Sequence, residues 1–77
     1  MSAEGEAKLV MMANQIARFY LPQKQVEPVA AIATHIRKFW DPRMRAAIIA
    51  HVDQGGAGLD EPARQAVERL KQGARPA

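Results

Sequence analysis

Lys38-Phe39-Trp40-Asp41-Pro42-Arg43-Met44-Arg45 is the stretch whose reading decides the fold. It lies near the middle of a 77-residue chain and holds its one Trp and one of its two Phe residues. Asp41 can accept hydrogen bonds from the free backbone N–H groups of a following helix. Pro42 suits the first position of that helix, where a missing N–H costs nothing. Phe39 and Trp40 close the helix before it. The stretch therefore reads as a corner between two helices, with aromatics inside and arginines around it.

Upstream of the corner, a second helix is expected to start near Val26 to Pro28. Glu27 suits the positive end of its dipole and Pro28 its first turn. Its apolar stripe is Val29, Ile32, Ala33, Ile36, Phe39 and Trp40. Before it, the spacing predicts a helix from about Ala7 to Tyr20, buried along Leu9, Met12, Ile16, Phe19 and Tyr20. Lys8, Asn14, Gln15 and Arg18 fall outside that stripe. Leu21-Pro22 ends the helix, because a residue before proline avoids the helical region. Gln23-Lys24-Gln25 is a polar connector. The two helices echo each other at an offset of twenty, with Arg18-Phe19-Tyr20 and Pro22 answering Lys38-Phe39-Trp40 and Pro42. Two helices that must pack and then stop can converge on such a pattern, so it does not demonstrate a duplication.

Downstream, a third helix is expected from Pro42 to about Asp53, with Met44, Ala47, Ile48, His51 and Val52 inward, Arg43 and Ala50 outward and Ile49 sideways. Gln54-Gly55-Gly56-Ala57-Gly58 breaks it, since glycine accepts the left-handed conformation of a helix cap. Leu59 folds back, and Asp60-Glu61-Pro62 starts a fourth helix with Asp60 as cap. That helix reaches about Gln72 and buries Ala63, Ala66, Val67 and Leu70. No segment alternates as a strand would. The fold class is all-α, a small bundle or array of about four short helices in a single domain over 1–77, with flexible ends at 1–6 and 73–77.

The totals bound the function. A chain of this length hides about 60% of its unfolded surface, which leaves a lone monomer marginal. With no Cys, disulfides and thiolate metal sites are excluded. The acidic start lacks the cations of a secretory leader, and no apolar run nears the roughly 18 residues of a membrane span, so the expected location is cytoplasmic. Eleven Lys and Arg against eight Asp and Glu give +3, too small an excess to argue for nucleic acid by itself. Arg37, Lys38, Arg43 and Arg45 against Asp41 leave 4 − 1 = +3 at the corner, equal to the excess of the whole chain.

Candidate sites follow from that charge. Arg and Trp are enriched at the energetic centres of interfaces. Arg37, Trp40, Arg43 and Arg45 are therefore the expected partner-binding group, with a core-filling Trp40 and a solvated basic face as the plainer readings. Met11, off the main stripe, joins them; with Val10 and Ile49 it suggests a buried face beyond the monomer's own core. A homodimer or a larger partner would cover it. His35 and His51 read as hydrogen-bonded structural histidines, two being too few for a metal site without Cys or a carboxylate trio. Ser2, Thr34 and Tyr20 supply the hydroxyls, with no base paired to any of them. The glycine run follows a helix and lacks the Lys-Ser/Thr of a phosphate loop. No catalytic, cofactor or metal residue is assigned.

Three runs carry a resemblance: Leu9-Val10-Met11-Met12-Ala13-Asn14-Gln15-Ile16-Ala17, then Ile36 through Arg45, then Gly55-Gly56-Ala57-Gly58-Leu59. In this order they closely resemble the delta subunit of soluble NAD-dependent formate dehydrogenases, over about Lys8 to Lys71. The resemblance implies a cytoplasmic accessory subunit of a molybdenum- or tungsten-dependent enzyme that oxidises formate and reduces NAD. It implies that bis-molybdopterin guanine dinucleotide, iron–sulfur clusters and FMN sit in the larger subunits, and that this chain assists assembly, cofactor loading or stability. It transfers no active-site residue. The expected partner is the catalytic (alpha) subunit; the competing reading is a small nucleic-acid-binding domain with helix three as reader, and an independent enzyme is remote.

Overall fold

The computed structural model describes residues 3–74. They form α1 (Ala3–Tyr20), α2 (Pro28–Phe39), α3 (Pro42–Asp53) and α4 (Glu61–Ala74), with no strand among them. Helix α1 begins at Ala3 rather than Ala7, and α4 ends at Ala74 rather than Gln72. Residues 3–6 and 73–74, expected in the flexible ends, are helical; Met1, Ser2 and 75–77 lie outside the described residues.

Each boundary has a local cause. Asp41 adopts an extended conformation and its Oδ1 accepts from Met44 N–H at 2.9 Å, while Pro42 opens α3. Glu27 caps α2 in the same way, accepting from Ala30 N–H at 2.6 Å. The end of α3 is a Schellman closure: Gly55 N–H donates to Val52 O at 3.0 Å and Gly56 N–H to His51 O at 2.9 Å. Gly55 and Gly56 have φ of 118° and 68°, the region where a side chain would be strained.

The core is one cluster drawn from all four helices. Ile32, Ile36, Ile48 and Val67 are its largest fully buried side chains, and Ala13, Ala17, Ala63 and Ala66 are also sealed from solvent. Alanines at these contacts let the helices approach closely, since interaxial distance follows side-chain size. Helix α4 packs on α1, α2 and α3. Helices α2 and α3 diverge at the corner and are joined through α1 and α4, not by lying along one another.

Two inward assignments change. Phe19 and Phe39 are 65% and 72% exposed, not core. On α1 the inner positions go to Ala13 and Ala17; on α2, Trp40, already on the expected stripe, is buried without Phe39. Asn14, expected outside, is buried: its Nδ2 donates to Gly58 O at 2.9 Å and its Oδ1 accepts from Asp60 N–H at 2.8 Å. One side chain thus ties α1 to the part of the α3–α4 loop that leads into α4.

Candidate functional site: a docking surface

The corner positions its cations differently from one another. Trp40 is 4% exposed and belongs to the core cluster, so the core-filling reading of Trp40 is the one the structure bears out. Arg45 turns back along α3: Nη1 donates to Trp40 O at 2.6 Å and to Arg37 O at 3.2 Å. These are carbonyls at the C-terminal end of α2, where a cation is favourable against the helix dipole. Arg45 is therefore the C-terminal clamp of α2. Arg37 and Arg45 line a cleft of about 390 Å³ with Pro42, Ile49 and Gly73. Arg43 is exposed on the outward face of α3.

Ion pairing sharpens the charge. Glu27 lies against Arg69 at 3.1 Å, Asp60 against Arg18 at 3.7 Å and Asp53 against Lys71. Glu61 takes hydrogen bonds from Arg64 and then Gln65, which lower its pKa from 4.5 to about 2. Hydrogen bonding from Ala30 N–H, followed by the charge of Arg69, lowers that of Glu27. Arg37, Lys38 and Arg43 have no ion-pair partner among the described residues. The excess positive charge therefore stays concentrated where α2 ends and α3 begins.

A second surface was missed by the sequence reading. At the ends of α1 and α2, four rings touch in series. Phe19 and Tyr20 centroids are 5.0 Å apart, Tyr20 and His35 6.2 Å, and His35 and Phe39 4.7 Å. Two depressions, of about 500 and 280 Å³, both include Tyr20 and His35 in their walls. Phe39 and Lys38 border the larger; Met12, Ile16, Phe19 and Trp40 border the smaller. The signal for it was the paired Phe at positions 19 and 39, read as inward in both helices.

Met11, by contrast, stands 54% exposed on α1. Val10 and Ile49 do not join it as exposed side chains. Both are partly buried against the core, Val10 beside Gly58 and Ile49 in the arginine cleft. His51 is held as expected of a structural histidine: Nε2 donates to Ala57 O at 2.8 Å. That carbonyl can only accept, so Nε2 carries the proton. Among the described residues no three His, Cys, Asp or Glu side chains gather as metal ligands, and no helix is long and apolar enough to cross a membrane. The chain offers no thiolate for an iron–sulfur cluster, since it has no Cys.

What the fold and its surface define is a small all-α protein with a cationic corner beside an aromatic groove. Over residues 8–67 the chain matches the family model of the NADH-dependent formate dehydrogenase delta subunit FdsD. The chain belongs to that family, whose description makes its members subunits of a formate dehydrogenase complex. No curated protein and no solved structure matches it.

Proposed function

We propose that this chain is a non-catalytic accessory subunit that docks on the catalytic (alpha) subunit of a cytoplasmic NAD-dependent formate dehydrogenase, assisting its assembly or stabilising it. The observation that carries the docking reading is the concentration of unpaired cations at the corner, while Glu27, Asp53 and Asp60 are each matched by a cation of their own. Such a patch complements an acidic surface and adds specificity to association. Arg37 and Arg43 are its contact residues, and Met11, exposed on α1, is a further contact residue of the chain. Trp40 and Arg45 hold the corner in shape from within and behind. The molybdenum cofactor, clusters and FMN belong to the larger subunits, and a role in loading the former is a finer version of the same reading. The nucleic-acid alternative loses support, because Arg45 is engaged with α2 carbonyls and leaves Arg43 as the one free arginine at the start of α3.

The test is co-expression with the catalytic subunit, affinity capture on this chain and size-exclusion chromatography. Stable co-elution with cofactor-loaded enzyme identifies a structural subunit. Capture of the cofactor-free catalytic subunit alone identifies an assembly factor. Capture of neither rejects the docking reading. Arg37→Glu with Arg43→Glu should weaken capture and leave helicity intact; Arg45→Glu is unsuitable for that purpose, since it removes the clamp on α2.

A further inference from the structure

We infer that the groove between the ends of α1 and α2 receives an acidic, amphipathic segment of the catalytic subunit, its apolar side chains seated between Phe19 and Phe39. This rests on the docking reading above and gives it a place and a chemistry.

The apolar part of the argument is exposure without local use. Two phenylalanines in one small domain stand 65% and 72% exposed, one on each side of the groove. Exposed aromatics that converge mark interaction sites; single scattered ones do not. Here they converge through Tyr20 and His35, whose rings bridge the two depressions. Met12, Ile16 and the buried Trp40 line the smaller depression. A wall of aliphatic and thioether groups fits aliphatic side chains better than flat nucleobases, which would ask for open ring faces. Rings of Tyr20, His35 and Phe39 already contact one another.

The rim sets the charge of the occupant. Lys38 borders the larger depression and has no ion-pair partner among the described residues. Lys24, likewise without one, lies in the connector beside Gln25, which lines the same depression. The carboxylate that reaches this rim, Glu27, is spent on capping α2 and on Arg69. An acidic occupant is thus attracted from outside while nothing on the rim repels it. A second copy of this chain would bring the same cations to the contact and is disfavoured by like charge.

The experiment places the photo-reactive p-benzoylphenylalanine at position 39 of the full chain, co-expressed with the catalytic subunit. After irradiation, cross-linked peptides are sequenced by mass spectrometry. The expected product joins position 39 to one segment of the catalytic subunit in which apolar residues are flanked by Asp or Glu. In parallel, Phe19→Ser with Phe39→Ser should lower capture by about tenfold or more, as loss of buried aromatic anchors does, and Lys38→Glu should lower it less. Cross-linking to a second copy, to nucleic acid, or to a segment without acidic residues overturns the inference. So does undiminished capture by the double Ser variant. Co-purification without any cross-link removes the groove and leaves the docking reading standing. Failure of the unmodified chain to co-purify removes both.

Discussion

Helices α1 and α2 end in nearly the same letters, Arg18-Phe19-Tyr20-Leu21-Pro22 and Lys38-Phe39-Trp40-Asp41-Pro42, yet the two ends are finished differently. At both, the phenylalanine faces solvent. At the first, Tyr20 is half-buried, and the chain runs through a connector until Glu27 caps the next helix. At the second, Trp40 is buried and Asp41 caps α3 at once. The difference turns on position 21 against position 41. Leucine has no acceptor for the next helix's N–H groups; aspartate does. An immediate restart turns the chain sharply and carries the aromatic before it into the core. A delayed restart leaves its aromatic at the edge of a groove. The helix ends are also closed by different groups. Gln23 serves α1, with its backbone N–H donating to Tyr20 O and its side-chain Nε2 to Phe19 O, whereas Arg45 serves α2 with a cation.

The sharpest way to break this comparison is truncation of the two aromatics. Trp40→Ala should cost about 3–5 kcal/mol, as for a large buried aromatic, and in so small a domain should largely unfold it. Tyr20→Ala should cost about 1–2 kcal/mol. Urea denaturation followed by circular dichroism measures both; equal losses would mean that the two ends are built alike. The closing groups come next. Arg45→Ala should cost about 1–2 kcal/mol, in the range of hydrogen bonds from a charged donor, and Gln23→Ala about 0.5 kcal/mol. In the Arg45 variant the emission of the single Trp should shift to the red as the corner loosens, which Gln23→Ala should not produce. Phe19→Ser and Phe39→Ser should each change stability by less than about 0.5 kcal/mol, since exposed side chains lose little on truncation. A loss comparable to Tyr20→Ala at either would show that phenylalanine to be part of the core after all.

The smallest expected effect is in acid. Glu27 and Glu61 have folded-state pKa values below the ordinary 4.5, Glu61 at about 2. A carboxyl depressed by folding stabilises the protein above its unfolded pKa, and that stabilisation is lost as pH falls through the folded value. Thermal melts should therefore show a gentle decline from pH 4.5 downward, flattened in Glu61→Gln and Glu27→Gln. Both side chains are exposed, so screening keeps the effect small. A decline of unchanged slope in both variants would assign the acid response to other carboxylates.

The sequence by itself determined the inner boundaries, where one helix stops and the next starts, though not the outer ends of α1 and α4. Asp41-Pro42, Glu27-Pro28 and Gly55-Gly56 act through their own backbone and nearest neighbours, so their consequences are local and legible in order along the chain. It also determined most of the core of α2 and α4, where Val29, Ile32, Ala33 and Ile36, and Ala63, Ala66, Val67 and Leu70, recur at a helical period. Only the tertiary structure decided which edge of each apolar stripe turned inward. A helical stripe spans well over 100°, and the last turn offers two adjacent aromatics with one place between them. Close approach of the other helices gave the inner positions to Ala13, Ala17 and Trp40 and left Phe19 and Phe39 outside. The same approach brought the loop at Gly58 and Asp60 onto Asn14 and set Arg45 against the end of α2. Contacts between residues such as Asn14 and Gly58, 44 positions apart, depend on how whole helices sit against each other, and no spacing within one helix encodes that.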